Sequence, residues 1–292
     1  MRCTGPRLAP SYVQMDSVLA RLHVASMSIP QYLLASDLDG TLIPLERSAK
    51  RLRELREFVH AVRDAEGLLL AYVTGRHLAL AQRGIEEFEL PLPDLLVCDV
   101  GTSVYRVTDG VYAPDEEYRK EMRTAFGGLR GEDVKSALDG IESLKLQEDE
   151  KQAEFKVSYY TPKNVDWVLN EAADRLKSAG ARVNLVASYD SVLERGLLDV
   201  LPAGVAKDYA VRYLHDHTKI AAEHLIYAGD SGNDRAAMLA GYRVIVVANA
   251  EESLKSDLRK EAAKRRLSGH LYFAHHPFAR GVLEGCRHFG VL

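Results

Sequence analysis

The chain has 292 residues, with 42 acidic against 38 basic side chains and a formal charge of −4; 47% of residues are hydrophobic and 27% charged. These values exclude a fibrous, collagen-like or wholly disordered chain, and the interleaved signs leave no basic stripe for a nucleic-acid backbone. The longest purely apolar run, Leu68 to Val73, is far short of the roughly 20 residues of a membrane span, so neither nucleic acid nor membrane is an expected partner.

Residues 1–30 show no apolar signal core and no small-residue cleavage site, and are expected to form a loosely attached N-terminal extension. Cys3, Cys98 and Cys286 stand apart without a CxxC pair, which fits a reduced, cytoplasmic setting better than a disulfide framework. From Gln31 the pattern becomes regular. Tyr32–Ser36 reads as a buried strand closing in Asp37-Leu38-Asp39-Gly40-Thr41. Leu52, Leu55, Phe58, Val59 and Val62 give a helix with Gly67 beyond its end, and strand Leu68–Val73 leaves through Thr74-Gly75-Arg76. A helix with Leu78, Ala81, Ile85 and Phe88 on one face leads to strand Leu95–Cys98 and Gly101. Short continuous apolar strands alternating with helices predict a parallel sheet covered on both faces.

After Val111 the rhythm changes. A polar helical stretch from Glu116 to about Ile141, broken at Gly127, Gly128 and Gly131, precedes Leu144–Gln147 and the alternating run Glu154–Tyr160; a helix with Val165, Val168, Leu169 and Leu176 leads to strand Arg182–Ala187. The parallel rhythm is expected to return with Leu197–Leu201, a helix after Gly204, strand Leu225–Ala228, a helix from Asn233, strand Arg243–Val247, a helix from Glu251, strand Leu271–Phe273 and a last helix with Val282 and Leu283. At about 150 residues per domain the length suits two domains. The pattern divides the chain into an extension at 1–30, a Rossmann-like parallel-sheet core at 31–112 and 194–292, and an inserted α/β cap domain at 113–193.

Ligands of open parallel sheets sit beyond the carboxyl ends of the strands. Three predicted strands end in unusual polar groups: Asp37 and Asp39; Thr74-Gly75-Arg76; and Gly229-Asp230-Ser231-Gly232-Asn233-Asp234. Four carboxylates converging on one crevice would repel, and a divalent cation with all-oxygen ligands, Mg²⁺ above all, resolves the conflict. A calcium loop fails, because the positions sixth and twelfth from Asp37 are Leu42 and Ser48 instead of Gly and Glu. Each motif alone also suits a turn or a helix cap; their coincidence at three strand ends favours a site.

These residues in this order, together with Lys207, resemble the four motifs of haloacid-dehalogenase-superfamily phosphatases. Val100-Gly101-Thr102, Lys156-Val157-Ser158-Tyr159, Leu198-Asp199-Val200-Leu201-Pro202, Val246 through Asn249-Ala250, and Gly281 through Gly285 with His288-Phe289-Gly290 are similar to the sucrose-phosphate phosphatase family, which includes mannosylfructose-phosphate phosphatases. The resemblance covers about residues 31–292 and implies a C2-type cap. It also implies a Mg²⁺-dependent phosphatase acting on a small phosphorylated sugar, such as sucrose 6-phosphate or another glycoside phosphate, through an aspartyl-phosphate intermediate. Asp37 is then the nucleophile and Asp39 the general acid and base. Asp37, the backbone carbonyl of Asp39 and Asp230 hold the metal, with Asp234 and Asn233 behind them. Thr74, Gly75 and Lys207 clamp the phosphate, and Arg76, Thr102, Ser103 and Lys156 meet the substrate. Ser103 departs from the pattern, which carries a sugar-contacting glutamate there; Asp208 and Ala248 stand where glycines are usual. Between Thr74 and Lys207 lie 132 residues, enough for the cap, and a capped crevice favours a small metabolite over a phosphoprotein. A phosphotransferase on the same fold, or a regulatory partner of a sugar-phosphate synthase, are the competing expectations.

Overall fold

The computed structural model describes residues 30–162, 166–190 and 194–292. The expected N-terminal extension, apart from Pro30, and Val165 of the predicted cap helix lie outside the described residues. The first half of the core follows the sequence closely. Strand β1 (Tyr32–Ser36), helix α1 (Ala49–Asp64), β2 (Leu68–Val73), α2 (Leu78–Glu87) and β3 (Leu95–Cys98) alternate as expected. The Ser48 side chain caps α1 by accepting from the Arg51 N–H, and Leu55, Phe58, Val59 and Val62 form its buried stripe. Two further strands, β4 (Ser103–Thr108) and β5 (Val111–Pro114), extend the sheet as an antiparallel hairpin that the sequence pattern did not reveal. Only Val104 and Val107 of β4 are buried, so the alternation is too faint to register.

Next come α3 (Glu116–Phe126), α4 (Gly131–Leu138), β6 (Lys145–Leu146), β7 (Val157–Thr161), α5 (Asp166–Ser178), β8 (Val183–Asp190) and β9 (Arg195–Pro202). These strands form a separate four-stranded sheet in the order β6-β7-β9-β8, antiparallel throughout. Here one expectation is corrected: Leu197–Leu201 does not resume the parallel core but is an inner strand of this second sheet. Leu198, Val200 and Leu201 are all buried, because one face of β9 packs on the helices while the other faces the core. A strand buried on both faces reads as a continuous apolar run and mimics a parallel one.

The core then resumes with α6 (Lys207–Thr218), β10 (Leu225–Gly229), α7 (Arg235–Met238), β11 (Arg243–Val246), α8 (Glu252–Arg265), β12 (Leu271–Phe273) and α9 (Phe278–His288). The helix expected from Asn233 shrinks to a 3₁₀ turn and the single turn α7. The eight-stranded sheet has the order β12-β11-β10-β1-β2-β3-β4-β5, parallel from β12 to β3. Successive side chains of β1 supply opposite faces: Leu33 and Ala35 join the cluster under α6 and α7, Leu34 the cluster under α1, α2 and α9. All parallel strands therefore end on one edge, with β1 and β10 adjacent at its centre. Among the described residues no helix is long and apolar enough to cross a membrane.

Candidate active site

Asp37 extends β1 by one residue, its N–H donating to the Ala228 carbonyl of β10 at 2.9 Å, and it is 4% exposed. The chain then turns at Gly40, whose φ is +74°. A Cβ there would lie 2.4 Å from Asp230 Oδ2, so only glycine lets the two loops approach. The Thr41 hydroxyl donates to Asp230 Oδ1 at 2.9 Å, fixing the half-buried Asp230 carboxylate over the end of β1.

Asp234 folds back under this loop. Its Oδ2 accepts from the Asp230 and Ser231 N–H groups at 3.1 and 3.0 Å, and its Oδ1 from Tyr227 at 2.6 Å and Lys207 at 2.7 Å. Lys207, the first residue of α6, is fully buried and also lies 2.9 Å from Asp37 Oδ1. It is therefore a cross-brace between two strand ends, which sequence reasoning alone would have read as a solvated helix-start lysine.

Carboxylate oxygens of Asp37, Asp230 and Asp234 all lie within 4.8 Å of one another. One ammonium faces three carboxylates. Burial first, then the charges of Asp234 and Asp230, push the Asp37 carboxyl well above the usual range, although Lys207 pulls the other way. Asp230 is pushed up to about 7 by burial and then by Asp234. Lys207 moves upward despite its burial, because Asp234 and Asp37 hold its proton. Negative charge in excess on hard oxygen donors fits a divalent cation of the Mg²⁺ kind. Asp234 is already saturated with donors, so Asp37 and Asp230 are the carboxylates available to the ion and Asp234 the group that orders them.

Asp37, Asp230 and Asp234 bring three of the four expected carboxylates within 4.8 Å of one another, and the charge of the fourth, Asp39, still bears on Asp37 and Asp230. Asp39, half-exposed at the mouth, points to Arg76, which donates to it through Nε at 2.7 Å and Nη2 at 2.5 Å. The guanidinium fork matches both carboxylate oxygens. Thr74 is buried at the end of β2, its hydroxyl accepting from the Arg76 N–H at 3.2 Å. A Cβ on Gly75 would sit 3.7 Å from Val100 Cγ2 and 4.0 Å from Asn233 Nδ2, so Gly75 lines the same crevice.

The expected sugar-facing residues gather around one the sequence reading missed, Asp99. Thr102 donates to the Asp99 carbonyl at 3.0 Å and Ser103 to its Oδ2 at 3.1 Å. Lys156 lies immediately before β7 and is buried, with Nζ 3.0 Å from Asp99 Oδ1. The signal for Asp99 was present: like Asp37 and Asp230 it is an acid directly following a buried strand.

Residues 30–290 match the family model described as sucrose-6F-phosphate phosphohydrolase. Among curated proteins, the chain is similar to a putative HAD-like hydrolase of Nitrosococcus oceani, with 38% identity over 88% of this chain and 71% of that protein. It is also similar to the mannosylfructose-phosphate phosphatase of Agrobacterium fabrum, with 28% identity over 90% and 98% of the two chains. Among solved structures it superposes on the sucrose-phosphatase of Synechocystis sp. PCC6803 in complex with sucrose and phosphate. The TM-score is 0.74 at 27% identity, covering 90% of this chain and all of that one.

Proposed function

This chain belongs to the sucrose-6F-phosphate phosphohydrolase family of haloacid dehalogenase phosphatases and is a phosphoric monoester hydrolase, and from that premise we propose that it removes phosphate from a disaccharide or related glycoside phosphate such as sucrose 6-phosphate. The observation that carries the reading is the trio of Asp37, Asp230 and Asp234 braced by Lys207 at the carboxyl ends of β1 and β10.

Asp37 attacks phosphorus: a bond forms from its carboxylate oxygen and the bond to the sugar oxygen breaks. Asp39 gives a proton to the departing sugar oxygen and then takes one from the water that cleaves the aspartyl phosphate. Its half-exposed position beside Arg76 suits a group that must exchange protons between the two steps. A Mg²⁺ ion held by Asp37, the Asp39 carbonyl and Asp230, when bound, supplies the positive charge that lets an anionic ester approach. Thr74, Gly75 and Lys207 receive the phosphoryl oxygens, where a positioned donor is worth about 10²- to 10³-fold in rate.

The four-stranded sheet with α3, α4 and α5 is the cap over this crevice. Its boundary on the C-terminal side falls after Pro202, where β9 ends, and not at 193. The substrate is the kind of product that a sugar-phosphate synthase releases, and two buried free thiols, Cys98 and Cys286, suit a reducing cytoplasm. The test is phosphate release across a panel of sugar phosphates with and without Mg²⁺. Sucrose 6-phosphate or mannosylfructose phosphate should exceed glucose 6-phosphate in kcat/KM, with activity lost in chelator; equal rates across the panel overturn the glycoside reading.

A further inference from the structure

Two stretches that the chemistry leaves without a task, Val246 through Ala250 after β11 and Gly281 through Gly285 in α9, meet beside the catalytic loop. One carboxylate of α9 holds the segment between them. Glu284 accepts from the His275 and His276 N–H groups at 3.1 and 3.2 Å and from the Tyr272 hydroxyl at 2.7 Å, and the Nδ1 atoms of both imidazoles lie 2.7 Å from its oxygens. Small residues let the helix come this close. A Cβ on Gly281 would stand 2.1 Å from the His276 carbonyl oxygen, and one on Gly285 2.5 Å from Ile245 Cγ1 of β11.

The segment so held meets the loop after β11. The Ala248 N–H donates to the His276 carbonyl at 3.1 Å. Phe278 opens α9 in left-handed backbone, at φ of +56°, and its N–H, which has no partner within the helix, donates to Asn249 Oδ1 at 3.0 Å. The other end of the same amide donates from Nδ2 to the Gly40 carbonyl at 2.7 Å. Phe278 offers only a donor and Gly40 only an acceptor, so the two partners fix which way the amide points.

The Gly40 carbonyl lies in the peptide plane that joins Gly40 to Thr41. Both residues face Asp230, one by bare contact and the other through its hydroxyl, so a rotation of that plane would move both contacts. The backbone bonds of this turn are internal: Gly40 N–H to the Ile43 carbonyl, and Thr41, Leu42 and Ile43 N–H to the Leu38 carbonyl. Asn249 ties that backbone to the rest of the core.

We propose that Asn249 is a positioning residue: it holds the Gly40–Thr41 peptide against Asp230, and α9, through Glu284 and the 275–278 segment, holds Asn249. This rests on the metal-dependent reading above, in which Asp230 is a ligand.

Calorimetric titration of Mg²⁺ into the metal-free chain at pH 8 tests it, with Tm in chelator as the measure of the fold. Asn249→Leu fills nearly the same space without charge and loses both hydrogen bonds. Its Mg²⁺ Kd should rise about 10- to 100-fold, as for loss of a group that orients a metal ligand. A merely structural asparagine would lower Tm in chelator and leave the Kd within about threefold, and that result overturns the proposal. Glu284→Gln lies on the far side of the relay and leaves Asn249 in place, so it decides the matter if Asn249→Leu does not fold. Its Kd should rise about 3- to 10-fold, since only part of a lost charge-assisted hydrogen bond is felt at the turn, and an unchanged Kd overturns the proposal. If the unaltered chain binds no Mg²⁺, the metal reading itself falls and the positioning role with it; if it binds and both variants match it, the positioning role alone falls.

Discussion

Replacing Asp230 with Asn should stabilise the metal-free chain at neutral and alkaline pH, although it removes a group needed for turnover. In the folded chain Asp230 is raised from 3.8 to about 7, by burial and by Asp234. Between those values the folded chain holds a proton that the unfolded chain has released, so stability falls as pH rises through the interval. A rise of about three pH units at about 1.36 kcal/mol each is worth about 4 kcal/mol once the pH exceeds 7. Asparagine keeps an oxygen for the Thr41 hydroxyl and carries no charge, so the penalty disappears. The assay is urea unfolding in chelator from pH 4 to 9. Asp230→Asn should match the unaltered chain near pH 4 and exceed it by about 4 kcal/mol at pH 8. Glu284 acts in the opposite sense. Tyr272, His275 and His276 hold it down to about 2 against its burial, so its stabilisation is lost below pH 4.5, and equally in both proteins. With Mg²⁺ at a hundred times its Kd the gap should narrow to about 1 kcal/mol, because the unaltered chain gains about 2.7 kcal/mol that the variant cannot. An Asp230→Asn protein no more stable than its parent at pH 8 in chelator would refute the reasoning.

Lys207→Met should lower turnover about 10²- to 10³-fold and destabilise the fold by about 3–5 kcal/mol at pH 8, because Asp37 and Asp234 lose a fully buried partner; the unfolding loss should shrink toward pH 5 as the carboxyls take up protons. Gly40→Ala places a methyl 2.4 Å from Asp230 Oδ2 at a φ of +74°, so both the Mg²⁺-induced rise in Tm and phosphate release should be lost, while a fold that survives with Mg²⁺ binding intact would contradict the packing argument.

Much of this site was legible because buried parallel strands leave a plain trace: short apolar runs such as Tyr32–Ser36 and Leu225–Gly229, each ending in carboxylates that have no business next to a core. The places where the reading failed have physical causes. β9 is covered on both faces and imitated a parallel strand. The helix expected from Asn233 gives way to a turn because the Asp234 side chain satisfies the loop's own N–H groups. Strand position brought Asp39 to the crevice but says nothing of where its side chain turns, and the Arg76 fork decides that. Asp99 escaped notice because its partner, Lys156, comes from another sheet. Lys207 was found only through its resemblance to a known motif, since no local pattern marks a lysine that will be buried between two carboxylates.

The central claim is that Asp37 carries the phosphoryl group. Acid quenching during turnover of sucrose 6-phosphate labelled in its phosphate, followed by peptide mapping, tests it directly. The label should be bound to the peptide containing Asp37 in the unaltered chain and be absent from Asp37→Asn, which should release no phosphate. An Asp37→Asn protein that turns over normally, or label on a different residue, would contradict the account.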